Sequence, residues 1–314
     1  MRWLTAAQWR WTRRLLLAGF ALLVAMLLYR QGRNVDWGQV RGALAGISPG
    51  VLGLAALITI ASYLLYGCFD LAARRHIGHC LPTQRVLGIA AVAYAFSLNL
   101  GALVGGAGFR MRLYMRAGLG GGTAARIIVF AVTTNWAGYL LIGGLLFASG
   151  VVEVPTQWPV GSRGLRVLGM ALLLLALGYL LACHMLQGRQ LHVRGHSLEL
   201  PALQLALLQM LLASFNWTLM AALLWLFMPS GMPFAPVLGT LLVAAVASAI
   251  AHVPAGLGVI EAVFLPLLAH YAPVPPLLAA LLAWRALYYV GPLLLALAGY
   301  GWFEMRGRRA KHAA

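Results

Sequence analysis

Apolar residues run along this chain in blocks too long and too uniform for the face of a soluble helix. A helix crosses the hydrocarbon core of a bilayer with ~20 apolar residues. Blocks of that character cover Leu15–Tyr29, Val51–Ala73, Val86–Val104, Ile127–Ala148, Val167–Leu186, Ala202–Met228, Val237–Ala251, Val259–Tyr271 and Leu277–Phe303. Several are too short or too interrupted to be simple spans, and the charge of the segments between them sorts them. Cytoplasmic loops are enriched in Lys and Arg. Arg306, Arg308, Arg309 and Lys311 therefore put the C-terminal tail inside, and Arg189 and Arg194 do the same for Gln187–Leu200. The stretches holding Arg74, Arg75 and Arg85, and Arg110, Arg112, Arg116 and Arg126, also read as inside. Gly150–Ser162, Pro229–Pro236 and His270–Pro276 have no Lys or Arg and read as outside. Arg30–Gly50 strains the rule, with three Arg in a loop that the count of crossings puts outside.

Two blocks then cannot cross once. Val86–Val104 begins and ends inside; Val237–Tyr271 begins and ends outside and breaks at Val253-Pro254-Ala255-Gly256-Leu257-Gly258. Both read as re-entrant hairpins, which put non-helical backbone at a depth where only protein or a wet cavity can cover it. The pattern predicts an all-α polytopic membrane protein, one integral domain over 1–314, with about six full transmembrane helices, two re-entrant helical hairpins and a basic tail at 304–314. Its halves, about 15–149 and 165–303, share the order span, hairpin, span with opposite orientation. Gly105-Gly106-Ala107-Gly108 and Ala255-Gly256-Leu257-Gly258 mark equivalent breaks. Inverted-topology repeats with broken helices are common in transporters, where the site lies at the repeat interface.

Composition agrees: 62% of residues are hydrophobic, 9% are charged and the mean hydropathy is +0.86. Soluble domains carry about 25% charged residues. The net charge of +17 does not point to nucleic acid. The Arg residues flank apolar runs, where anionic headgroups lie, and no soluble face is left to carry a binding surface. Lys311 is the single lysine, which excludes a P-loop and a Schiff-base lysine and makes direct use of ATP an unsuitable reading. Cys68, Cys80 and Cys183 form no CxxC pair and read as packing residues.

Six acids are present. Glu261 stands apart, three residues past the Pro254–Gly258 break in an apolar arm, where an ionised carboxylate must be paired or functional. It reads either as a functional group or as a structural partner of Arg285, which lies roughly 12 Å into its helix and is too deep to snorkel. Asp70 forms an i,i+4 salt bridge with Arg74 or serves a site. Arg110, Arg112 and Arg116 suit phosphate geometry or pin an interfacial segment to anionic lipid. Asn99, Asn135 and Asn216 bond between helices or line a polar path. His76-x-x-His79-Cys80 and His192-x-x-x-His196 have ligand-like spacing but no acid cluster to complete a metal site. No cofactor is expected.

Gly105-Gly106-Ala107-Gly108-Phe109-Arg110-Met111-Arg112, Thr134-Asn135-Trp136-Ala137-Gly138-Tyr139 and His252-Val253-Pro254-Ala255-Gly256-Leu257-Gly258-Val259-Ile260-Glu261 together resemble the lysylphosphatidylglycerol synthase transmembrane-region family. This is the flippase half of the multiple peptide resistance factor proteins, and the likeness is greatest to its stand-alone inner-membrane members, the YbhN-like proteins. The resemblance covers roughly Leu15 to Phe303 and implies a phospholipid translocator of the bacterial inner membrane, not an enzyme. Well-known members append a soluble aminoacyltransferase domain; nothing after Phe303 could hold one, so lysine transfer is not expected. On this reading Arg110, Arg112, Arg126 and Arg285 would bind phosphate. Glu261 and Asp70 would engage an ammonium or carry a proton, and Asn99 and Asn135 would line the path. Membrane phospholipids are the expected partners, with a homo-oligomer or a lipid-synthesis enzyme left open. A small-solute transporter, a membrane-embedded lipid enzyme and a scaffold remain the rival readings.

Overall fold

A computed structural model describes residues 37–152, 161–187, 190–193, 196–251 and 253–299; for 103–104, 190–193 and 196–199 it describes the backbone only. The span expected at Leu15–Tyr29 and the basic tail at 304–314 lie outside the described residues.

The helices are α1 (Trp37–Ala45), α2 (Pro49–Ile77), α3 (Thr83–Leu100), α4 (Phe109–Arg116), α5 (Gly121–Ser149), α6 (Gly161–Met185), α7 (Leu203–Trp225), α8 (Phe234–Ala251), α9 (Val259–Leu268) and α10 (Val274–Arg285). The last continues through a π-helical turn at Ala286–Val290 to Gly299. Local chemistry sets the ends of α2. Ser48 caps it by accepting from the Val51 N–H at 3.3 Å, Pro49 occupies the first turn, and Gly78 closes it at φ 82°. Arg74, Arg75 and His76 in its last turn face the negative end of the helix dipole.

Among the described residues, six helices are long and apolar enough to cross a membrane: α2, α5, α6, α7, α8 and the full run of α10 from Val274 to Gly299. Five of them coincide with expected full spans. The other, α8, was read from its flanking charges as a hairpin arm. Their outward faces are apolar. Leu174 is 69% and Met185 72% exposed on α6, an arrangement that needs lipid as the surrounding solvent.

The chain reverses where the glycine breaks were read. After α3, Gly101 turns at φ 85° and a π-helical turn over Ala102–Gly108 folds back against the helix just left. A side chain on Gly105 would collide with the Phe96 carbonyl, and one on Gly106 would come 2.7 Å from Ser97 Oγ. Only glycine lets the two backbones approach this closely. Phe109 then stacks on Phe96 with ring centroids 3.9 Å apart. In the second half, α8 leads to a 3-10 turn at Pro254–Gly256 with positive φ at Ala255, Gly256 and Gly258, and α9 returns along α8.

The two hairpins start at opposite ends of the bundle. Val86 of α3 is buried with Ala73 near the end of α2 and Ala124 near the start of α5. Gly239 of α8 packs instead on Val152 and Leu146, at the far end of α5. Two short elements were not expected. Helix α1 lies in the stretch read as a loop and packs Val40 on Leu278 and Ala279 of α10. Gln190–Val193 pairs antiparallel with His196–Glu199 in the segment between α6 and α7.

Candidate functional site

Each returning hairpin arm is tied to a long helix by a buried guanidinium–carboxylate pair. Asp70 on α2 is fully buried, and Arg110, the second residue of α4, brings its Nε to 3.5 Å from Oδ2. Tyr114 donates its hydroxyl to the same oxygen at 2.7 Å. The Arg110 guanidinium also lies 5.3 Å from the Tyr66 ring centroid. Tyr66 and Asp70 are four residues apart on α2, as Arg110 and Tyr114 are on α4, so two helix faces meet as a four-residue clasp. The expected Asp70–Arg74 bridge is absent from the described contacts. Arg74 instead donates to the Leu81 carbonyl and to Thr83 Oγ1, both at 3.0 Å, and closes the turn into α3.

The second pair is denser. Arg285 Nη2 lies 2.9 Å from Glu261 Oε1 and donates to Oε2 at 3.0 Å. The same guanidinium donates to the Ala255 carbonyl at 2.9 Å and the Gly256 carbonyl at 3.2 Å. Glu261 in turn accepts from the Gly258 N–H at 2.9 Å, capping the start of α9. One arginine thus holds the carbonyls of the tip and the acid of the returning arm together. This is the structural pairing of Glu261 with Arg285 that the sequence left as one of two readings.

Between the tips lies a cavity of about 190 Å³. Ser97, Gly101 and Ala102 of the first hairpin line it, facing Ser248, Ala255 and Gly256 of the second. Trp217 and Tyr289 contribute to the wall. Its surface is mostly apolar, and the buried Ser248 hydroxyl has no hydrogen-bond partner among the described residues. The ion pairs do not line this cavity; they stand behind the tips that do.

Beside the cavity a chain of hydroxyls joins four helices. Ser62 Oγ donates to Asn216 Oδ1 at 2.7 Å and pairs with Tyr288 Oη at 2.7 Å, and Tyr288 pairs with Tyr94 Oη at 2.8 Å. Tyr63 donates to the Tyr288 carbonyl at 3.1 Å. Asn99 donates to the Ala95 carbonyl at 2.8 Å and the Tyr289 carbonyl at 3.0 Å, so it ties the end of α3 to the π turn of α10. Asn135 is half-buried, and its carbonyl accepts from Trp217 Nε1 at 3.4 Å. Arg112 is exposed on α4, and Arg126 is exposed at the start of α5, away from the tips. The structure thus brings Asn99, Glu261 and Arg285 close to the tip cavity, sets Asp70 and Arg110 behind the first hairpin, and separates Arg126. The residue reading missed Ser62, Tyr94, Ser97, Ser248 and Tyr288. The available signal was a hydroxyl inside an apolar run, the same signal that singled out the asparagines.

Six apolar helices among the described residues, with buried ion pairs beside the helix breaks, define a polytopic membrane protein. A family model for the lysylphosphatidylglycerol synthase transmembrane region matches residues 15–296, so the chain belongs to that family. It is 42% identical to the inner membrane protein YbhN of Escherichia coli over 98% of both chains. It is 30% identical to the uncharacterized protein slr0712 of Synechocystis over 88% of both. The protein is a multi-pass inner-membrane protein of this family.

Proposed function

We propose that this protein moves phospholipid headgroups, anionic or aminoacylated, between the leaflets of the inner membrane through the space between its hairpin tips. The observation that carries this reading is the cavity itself, formed where hairpins starting from opposite ends of the bundle meet. Arg285, which holds the second tip, is about 17 Å along a helix of about 39 Å, near mid-depth. The hairpins are re-entrant, one from each face, and the halves form an inverted repeat of the kind that places a site at the repeat interface. The basic tail keeps the C-terminus cytoplasmic.

In the form described, the cavity between the tips has an uncharged, mostly apolar lining that offers a charged headgroup no partner. Passage requires the tips to part. A phosphate reaching Arg285 competes with the Ala255 and Gly256 carbonyls and with Glu261, and so loosens the second tip as it binds. The phosphate's binding free energy is thereby coupled to opening. With no P-loop in the chain, movement is downhill or ion-coupled. The family name and the inner-membrane relative support lipid as the cargo over a small solute.

Glu261→Gln tests this. The amide oxygen can still accept from the Gly258 N–H, so the cap survives while the charge holding Arg285 is lost. In proteoliposomes carrying a fluorescent phospholipid, the variant is expected to change the rate of transbilayer movement at least tenfold. An unchanged rate contradicts the role of the second tip. Solute uptake by the wild type without lipid movement contradicts the lipid reading altogether.

A further inference from the structure

A second cavity, of about 200 Å³, opens between α2, α5, α6 and α7. It is separate from the tip cavity and shares no lining residue with it. Its floor is a fixed polar chain. Tyr179 donates to Gln209 Oε1 at 2.7 Å, Gln209 Nε2 donates to Thr134 Oγ1 at 2.8 Å, and Thr134 donates to the Phe130 carbonyl at 2.8 Å. Gln209 is fully buried, where an amide needs hydrogen-bond partners. Its Nε2 makes one hydrogen bond among the described residues, and a second N–H remains. Thr133, His76 and Arg126 line the same cavity. No described residue lining the cavity is acidic, and among the described residues Arg126 forms no ion pair.

We infer that this pocket binds the phosphate of an amphiphile, an anionic lipid headgroup entering from the Arg-rich leaflet. Arg126 supplies the planar fork that suits phosphate oxygens, and Thr133 and the Gln209 amide supply neutral donors behind it. The volume is many times the ~10–15 Å³ that one water needs, which leaves room for a phosphate with ordered water. Val129 lines the mouth and Val132 follows on the same helix face; each is 48% exposed. An apolar strip running outward from a cationic mouth fits a ligand whose tail remains in the bilayer. A soluble anion would gain nothing from it. This is a claim about binding and holds whether or not the protein translocates what it binds.

The test is native mass spectrometry of the purified full chain titrated with dihexanoylphosphatidylglycerol, with dihexanoylglycerol as the phosphate-free probe. Arg126→Gln is expected to weaken binding of the phospholipid about tenfold, the scale of one charge-assisted hydrogen bond. Thr133→Val should weaken it by a smaller factor. Arg75→Gln removes the same charge from an exposed position outside the lining and should leave affinity unchanged. Dihexanoylglycerol should not bind the pocket in any variant, and millimolar inorganic phosphate should displace little lipid from the wild type. Equal affinity in wild type and Arg126→Gln overturns the site, as does an equal loss in Arg75→Gln, which would mark diffuse surface charge. Full displacement by inorganic phosphate overturns the lipid assignment in favour of a free anion.

Discussion

Asp70 has no exposed surface, and an unpaired carboxylate at such a position costs several kcal/mol. Arg110 and Tyr114 therefore carry more than a local contact, since they make α4 the obligatory cover of that acid. Breaking a buried pair by removing one partner costs about 3–5 kcal/mol, whereas removing both can cost little. Arg110→Leu alone should lower thermal stability strongly in detergent, and Asp70→Leu/Arg110→Leu should recover a substantial part of the loss. The double-mutant cycle should report a coupling above ~1 kcal/mol; additive losses would show that the two side chains act separately. At this scale the sequence was informative where one residue alone violated its surroundings. Glu261 and Arg285 are intramembrane charges with few partners within reach, so their pairing was among the readings available. Asp70 was not resolved, because Arg74 is its neighbour in sequence while Arg110 becomes its neighbour only after a hairpin has folded back. Arg126 was grouped with the other arginines because charge type carries no information on which cavity a side chain faces.

At the scale of the element, the glycine breaks do different physical jobs. Gly105 permits contact between backbones, and its side chain would strike the Phe96 carbonyl. Gly120 faces open space. Gly105→Ala should therefore destabilise the protein by about 1–3 kcal/mol, the cost of overpacking a tight contact, or shift the tip of the first hairpin. Gly120→Ala should cost far less, no more than a weakened N-cap of α5. Equal tolerance at both positions would mean that the Ala102–Gly108 turn does not pack against α3. The spans and both breaks were readable because a long apolar run and its interruption are local properties of the chain. Helix α1 was not: nine residues with two glycines have little helical stability of their own, and α1 is held by its contact with α10. The paired strands at Gln190–Val193 and His196–Glu199 escaped notice for the same reason, since they form one short hairpin in a loop identified by its charge alone.

At the scale of the molecule, the two buried ion pairs have their poles exchanged. In the first, the acid sits on the long helix and the arginine on the returning arm; in the second, the arginine sits on the long helix and the acid on the arm. Both pairs stand behind the tips, and no charged residue lines the cavity between them among the described residues. The hydroxyl chain through Ser62, Tyr94 and Tyr288 joins the first hairpin to the π turn of α10, the helix whose Arg285 holds the second tip. Passage of a headgroup between the tips therefore requires their relative movement. In a background carrying Cys68→Ala, Cys80→Ala and Cys183→Ala, Ser97→Cys and Ser248→Cys place one thiol on each side of the cavity. Joining them with a short bifunctional methanethiosulfonate should stop transbilayer movement of labelled phospholipid in proteoliposomes, and a reductant should restore it. Cross-linked protein that moves lipid at the rate of the unlinked protein would contradict the claim that the path runs between the tips.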